Sequence, residues 1–170
     1  MDFLISYLIN LGISGLGRFL DICSTWYASR TLELESNVLV KKLSWKGILI
    51  LNIGMCFLFA IEFYFALILL VVSALVASNN LQKAWVTQTV GEKEYSEIFK
   101  KWVKKAESRK LYFSIIGGGI IFLSIGIILI FLTADLIGYY IGFALTIFAT
   151  AIILHKSVAF YKIRKEKEDQ

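Results

Sequence analysis

Long apolar stretches separated by short polar ones dominate this sequence. Four stretches carry few or no charges over about 18 residues or more, the length an α-helix needs to cross a bilayer. They are Phe3–Ala28 and residues 48–78, 111–133 and 136–154. Barrel strands would alternate apolar and polar positions, whereas these stretches are continuously apolar. Since backbone polar groups in hydrocarbon must be satisfied within the segment, the pattern predicts an all-α fold, a polytopic transmembrane helical bundle.

The second stretch decides the number of spans. Residues 48–78 would measure about 46 Å as one helix, against a hydrocarbon core of about 30 Å. Two shorter helices, over residues 45–61 and 63–79, place Glu62 at a tight turn instead. We therefore expect five spans, with four as the alternative.

The distribution of basic residues supports five spans. Positive charge collects on the cytoplasmic side of membrane proteins. Five spans bring Arg30, the lysines of residues 41–46, the segment 83–110 and the tail after residue 155 to one side, and they leave Arg18 alone inside a span. Four spans would strand residues 30–46 outside with their positive charges. The expected protein is integral to the cell membrane, with its N-terminus outside and its C-terminus in the cytoplasm.

Composition narrows the chemistry. The chain has no proline, is 58% hydrophobic and has a mean hydropathy of +0.71, outside the range of soluble domains. Charge on the cytoplasmic side accounts for the pI of 9.2, so we expect no nucleic-acid partner. Cys23 and Cys56 fall inside predicted spans as packing residues. His155 is the single histidine, so the chain by itself cannot supply a bis-histidine haem site.

The segment 91–110 has the pattern of an amphipathic helix. Its apolar residues recur at helical spacing along one face, from Tyr95 to Ala106. We expect this helix in the cytoplasmic headgroup layer, because lysines attract anionic lipid; docking to a partner is the alternative. The expected lipid-interface residues are Lys100, Lys101, Trp102, Lys104 and Lys105.

The predicted elements divide the chain into four parts. Residues 1–80 form a three-span unit with a polar cluster, and residues 81–110 form the amphipathic connector on the cytoplasmic side. Residues 111–157 form a C-terminal transmembrane hairpin, in which Gly117–Gly119, Gly138 and Gly142 allow close helix approach. Residues 158–170 are a charged cytoplasmic tail.

The first span carries the most specific polar pattern. Arg18, Asp21 and Thr25 follow one another at steps of three and four residues, so they share one face of a helix. Charged side chains within a span face the bundle interior and pair with each other, so we expect an Arg18–Asp21 ion pair. Gly12, Gly15 and Gly17 would let a neighbouring helix approach.

In the five-span topology, several polar residues can meet in one cavity on the cytoplasmic side, near His155. Carboxylate, amide and hydroxyl oxygens suit a hard cation such as Mg²⁺, Ca²⁺ or Na⁺. The alternative is a structural ion pair beside solvated loop acids. The predicted intramembrane polar cluster is Arg18, Asp21, Thr25, Glu33, Glu35, Asn37, Asn79 and Asn80.

Some of these residues carry a resemblance. The pattern Asp21-x-x-x-Thr25, then Glu35-x-Asn37, then a span ending in Asn79-Asn80, resembles a small prokaryotic membrane-protein domain family of unknown function. The resemblance covers about residues 5–85. It implies a polytopic fold and a candidate site, with no activity attached.

No motif of a known catalytic chemistry appears in the sequence, which favours a non-enzymatic role. The expected function is a small ion or solute transport unit, or an accessory subunit of a membrane complex. One alternative is a membrane-embedded metal-dependent enzyme acting on lipid headgroups, with Asp21, Glu33 and Glu35 as ligands or as an acid–base pair. Another is a membrane-structural scaffold. The expected partners are the lipid bilayer and either other membrane subunits or further copies of the chain.

Overall fold

The computed structural model describes residues 2–32 and 38–165, and over these residues it is all-helical. The helices are α1 (Phe3–Ala28), α2 (Val38–Phe59), α3 (Phe63–Val90), α4 (Glu92–Lys105), α5 (Ser108–Leu132) and α6 (Leu136–Lys165). Helices α1, α3, α5 and α6 are each long and apolar enough to cross a membrane, and α2 contributes a shorter apolar helix, Leu43–Phe59. The predicted polytopic helical bundle is confirmed.

The second predicted span corresponds to helix α2, whose apolar part is shorter than the other four apolar helices. Ser44 has non-helical dihedrals (φ 56°, ψ 175°) and breaks α2 near its start. The apolar part, Leu43–Phe59, is about 25 Å long at 1.5 Å per residue. That length is close to the hydrocarbon thickness of about 30 Å, so α2 is at the lower limit for a span.

The turn predicted at Glu62 is present between α2 and α3. The Glu62 carboxylate accepts a hydrogen bond from the backbone N–H of Tyr64 at 2.8 Å. The α5–α6 turn repeats this arrangement, because the Asp135 carboxylate accepts one from the N–H of Gly138 at 2.8 Å. An acid at these places satisfies a free helix N–H and complements the positive end of the helix dipole.

Helix α3 continues well past the position where the sequence pattern ended its span. It runs from Phe63 to Val90, and the chain turns at Gly91, which has a φ of 89°. This left-handed conformation favours glycine and ends the helix. Helix α4 begins at the next residue, so α3 joins it without a loop.

Contacts between helices give their directions. Hydrogen bonds join Arg18 to Ser73 and Ala28 to Thr87, so α1 and α3 are parallel. The hydrogen bond from Tyr7 to Phe57 and the one from Trp45 to Arg30 make α2 antiparallel to α1. The Tyr64 and Tyr140 rings stack at 4.4 Å near the starts of α3 and α6, and Asn79 and Lys156 line one groove further along, so these helices are also parallel.

The bundle therefore has two distinct ends. At one, the Glu62 end, lie the starts of α1, α3 and α6 and the turns that carry Glu62 and Asp135. At the other, the α4 end, these helices finish, α2 and α5 start, and α4 connects them. When the shorter helix α2 is counted with α1, α3, α5 and α6, successive apolar helices run in alternating directions, which is the arrangement that five spans would need.

Glycines hold α5 against α6. A Cβ on Gly126 would lie 2.7 Å from the carbonyl oxygen of Gly142, and a Cβ on Gly142 would lie equally close to that of Gly126. This confirms the close approach predicted at Gly142. Of the glycines at 117–119, Gly119 packs on Ile153, whereas a Cβ on Gly117 or Gly118 meets nothing within 4 Å.

Helix α4 packs on the ends of α5 and α6. Val103 is buried in a cluster with Ile115 and Phe160. Arg164 of α6 donates to the carbonyl of Val103 at 3.3 Å and also to that of Ala106. These bonds satisfy carbonyls at the C-terminus of α4. The helix predicted over residues 91–110 is therefore interrupted after Lys105, and α5 begins at Ser108.

Candidate functional site: a polar seam between the first three helices

A row of polar side chains runs along the contact of α1 with α3 and α2, and we call it the polar seam. Its members are Ser14, Arg18, Asp21, Ser24 and Thr25 of α1, Asn52 of α2, and Ser73, Asn80 and Thr87 of α3. Gly17 lets the helices approach here, because a Cβ on it would lie 2.8 Å from the Cα of Leu70. A Cβ on Gly12 or Gly15 would meet nothing within 4 Å, so Gly17 alone of the three serves the predicted approach.

Arg18 joins all three helices. It lies about 22 Å along α1 from Phe3, within the apolar part of the helix. Its Nε donates to the side-chain oxygen of Asn52, and its Nη1 donates to the hydroxyl of Ser73 at 3.1 Å. Asn52 in turn donates to the carbonyl of Ile48 at 2.7 Å. In these apolar surroundings, the side chains of Arg18, Asn52 and Ser73 would otherwise lack hydrogen-bond partners.

The predicted ion pair between Arg18 and Asp21 is present. The Nη2 of Arg18 lies 2.7 Å from Oδ2 of Asp21, and the two side chains are 16% and 15% exposed. The hydroxyl of Thr25 donates to Oδ1 of Asp21 at 3.4 Å. Arg18 and Asp21 lie about one helical turn apart, which is the geometry expected for residues three positions apart.

The next step of the seam connects α1 to α3 again. Asn80 donates from Nδ2 to the hydroxyl of Thr25 at 3.0 Å and to that of Ser24 at 3.4 Å. Ser24 donates to the backbone carbonyl of Asp21 at 2.9 Å. The arrangement links the carboxylate of Asp21 to the Asn80 amide through Thr25.

The seam ends near the junction of α3 and α4. The hydroxyl of Thr87 donates to the carbonyl of Ala28 at 3.1 Å. Beyond it, the carboxylate of Glu92 accepts from the hydroxyl of Ser29 and from the N–H of Thr31, the latter at 3.1 Å. Polar contacts thus continue from Arg18 to the α4 end of the bundle.

The seam also extends toward the Glu62 end. Ser14 is fully buried, and its hydroxyl finds no hydrogen-bond partner within the described chain. Further along α1, Asn10 donates to the carbonyl of Ala60 at 3.1 Å. Ser14 lies one turn from Arg18 and is the least satisfied polar group of the seam.

The structure describes five members of the predicted polar cluster and brings four of them together. Arg18, Asp21, Thr25 and Asn80 are connected as described above. Asn79 lies on another face of α3 and lines a groove with α5 and α6. Glu33, Glu35 and Asn37 lie outside the described residues, and His155 is exposed. In the part of the chain that is described, no three His, Cys, Asp or Glu side chains come together as a metal site would need.

The predicted lipid-interface residues lie on α4. Lys100, Lys101 and Lys105 are exposed, Lys104 is half-buried, and Trp102 is 62% exposed. Part of the predicted apolar stripe packs inside the protein, because Val103 is buried and Phe99 packs against its cluster. Burial also raises the pKa of Tyr95 on this helix.

The contacts of three polar residues were not predicted from the sequence. They are the hydrogen bonds of Asn10 and Glu92 and the contact of Arg164 with the end of α4. The sequence does give a signal for the contact of Asn10, because a side-chain amide within an apolar stretch needs a hydrogen-bond partner. Glu92 and Arg164 stand in charged segments, where nothing in the pattern separates a buried contact from a solvated one.

Comparisons with protein-family models, with curated proteins and with solved structures find no match for this chain. The resemblance of residues 5–85 to a prokaryotic membrane-protein domain family therefore stays a prediction.

Proposed function

We propose that this chain is a small transport unit of the cell membrane, which moves a cation or a proton along the polar seam. The observation that carries the proposal is the Arg18–Asp21 pair inside an apolar helix, continued by hydroxyl and amide groups toward one end of the bundle. Ionisable residues within a span are costly and mark ion and proton pathways in membrane proteins.

The depth of the seam supports this proposal. At 1.5 Å per residue, Ser73 lies about 15 Å along α3 from Phe63 and Asn80 about 26 Å. With a hydrocarbon core of about 30 Å, these positions correspond to the middle of the bilayer and to its boundary at the α4 end. In this proposal Asp21 carries the cation or proton, and Arg18 balances the carboxylate when it is empty.

The orientation of the chain is also proposed. The lysines of α4 lie at one end of the bundle, and Glu62 and Asp135 mark the opposite end. Arg18 lies between the two ends. The positive-inside rule then places the α4 end in the cytoplasm and the N-terminus outside. Helix α4 would lie in the headgroup layer, with Trp102 and the lysines of the helix toward lipid. Quenching of Trp102 fluorescence by brominated lipid tests this placement.

Ion flux in proteoliposomes tests the transport proposal. Asp21→Asn and Thr25→Val are expected to lower cation or proton flux strongly, because the first removes the carboxylate and the second a hydroxyl of the seam at nearly constant volume. Asp135→Asn is the matched control, since it removes an acid at a turn outside the seam and keeps the helix cap. Equal flux in Asp21→Asn, Thr25→Val and the unaltered protein would contradict the proposal.

A second candidate is an accessory subunit of a membrane complex. Two observations support it. The bonds of Arg18 to Asp21, Asn52 and Ser73 hold three helices as one unit. Gly12 and Gly15 lie on open faces of α1, where a Cβ would meet nothing within 4 Å. Purification in mild detergent after cross-linking is expected to recover a further membrane chain or a second copy. A strictly monomeric, partnerless protein would rule this candidate out.

A further inference from the structure

A groove lies where α3, α5 and α6 meet, on a different face of α3 from the polar seam. Its volume is 220 Å³, and we call it the α3–α5–α6 groove. One part is apolar and is lined by Leu75, Phe122 and Phe148; the other is polar and is lined by Asn79, Gln82, Ser114 and Lys156. Gly118 also lines it and leaves open space, because a Cβ there meets nothing within 4 Å.

The two parts of the groove lie at different depths. From the Glu62 end, Asn79 lies about 24 Å along α3, Ser114 about 27 Å along α5 and Lys156 about 30 Å along α6. Phe122 and Phe148 lie only about 15 to 18 Å from the same end. With a hydrocarbon core of about 30 Å, the polar part is at the boundary of the bilayer and the apolar part is within it.

The charge of the groove is positive. Among the described residues that line it, Lys156 carries the single formal charge. The side chains of Asn79, Gln82 and Lys156 have no protein partner for a hydrogen bond or ion pair within the described chain. Donors at the edge of hydrocarbon need a partner from water or from a lipid headgroup.

We propose that the α3–α5–α6 groove binds one anionic phospholipid. Its phosphate would lie at Lys156 and Asn79, and an acyl chain would lie along Phe122 and Phe148. The polar and apolar parts are in the order and at the depth of a lipid in the leaflet at the α4 end. The uncompensated positive charge favours a lipid of net negative charge over a zwitterionic one. This proposal is independent of transport along the polar seam.

Native mass spectrometry of the delipidated full chain tests the proposal. Phosphatidylglycerol and phosphatidylcholine with the same acyl chains are added in turn, and bound lipid is counted. We expect preferential binding of phosphatidylglycerol, which Lys156→Gln weakens about fivefold. Lys162→Gln is the matched control, because it removes the same charge from an exposed position of the same helix and should leave binding unchanged.

A second pair of variants tests the apolar part. Gly118→Leu fills the groove and is expected to abolish retention of phosphatidylglycerol, whereas Gly117→Leu adds the same side chain to a neighbouring open position outside the groove. Three results would overturn the proposal. They are equal binding of the two lipids, equal effects of Lys156→Gln and Lys162→Gln, and displacement of the lipid by inorganic phosphate alone.

Discussion

At the scale of single residues, Arg18 determines how the first three helices fit together. A guanidinium has five N–H donors, and here they reach a carboxylate, an amide and a hydroxyl on α1, α2 and α3. Asp21 supplies the countercharge, while Asn52 and Ser73 supply oriented acceptors. An arginine at this depth is tolerated because protein groups take the place of water.

Asp21→Asn is expected to lower the free energy of unfolding by about 3 kcal/mol, because it leaves the Arg18 cation inside the bundle without its countercharge. The double variant Arg18→Gln/Asp21→Asn should be more stable than Asp21→Asn alone, since it removes the stranded charge. Unfolding in mixed micelles with increasing SDS measures both.

The control for this prediction is Glu107→Gln. Glu107 pairs with Lys110 at the same three-residue spacing, but their side chains are 57% and 84% exposed. Removing an exposed pair should change stability by less than about 1 kcal/mol. An effect of Asp21→Asn no larger than that of Glu107→Gln would contradict a buried structural pair.

At the scale of helices, the apolar pattern predicted the elements better than it predicted their ends. The first span was predicted over Phe3–Ala28, which is the range of α1. The sequence predicted that the third span ends at residue 79, because the apolar stretch stops there. No glycine or proline interrupts helix α3 between that residue and Gly91, so the helix continues. At the C-terminus of α4, the carbonyl of Val103 accepts a hydrogen bond from Arg164, which lies far along the chain, so the local sequence gives no signal of this contact.

Helix faces explain why Asn79 lies apart from the other described members of the predicted cluster. Adjacent residues of a helix point about 100° apart, and here Asn79 and Asn80 face different neighbouring helices. Asn80 contacts Thr25, and Asn79 lines the α3–α5–α6 groove. The sequence indicated that both amides are near the boundary of the membrane, but the neighbour of each depends on how α3 is rotated against α1.

Gly17→Ala is expected to destabilise the α1–α3 contact by about 1 to 3 kcal/mol, because the new methyl group would lie 2.8 Å from the Leu70 Cα. Gly15→Ala is the matched control on the same helix. It meets nothing within 4 Å and should leave stability unchanged or raise it by up to about 1 kcal/mol through helix propensity. Thermal unfolding in detergent compares them, and equal midpoints would contradict close packing at Gly17.

At the scale of the whole molecule, helix directions and charge distribution agree. Helices α1, α3 and α6 finish at the α4 end, where Lys46, Arg109 and the basic residues of α4 and of the end of α6 also lie. The distribution of basic residues along the sequence predicted this arrangement. Adding or removing one span would move every following segment to the other side of the membrane. The short helix α2 is therefore the element on which the topology depends.

Accessibility of single cysteines tests this topology most directly. In a background of Cys23→Ala and Cys56→Ala, cysteines replace the exposed residues Ile61 and Ala134 at one end, and Lys46 and Lys101 at the other. A membrane-impermeant maleimide on intact cells should label positions 61 and 134, and should label 46 and 101 only after permeabilisation. Labelling of position 46 together with position 61 in intact cells would show that α2 does not cross the membrane, and would contradict the five-span account.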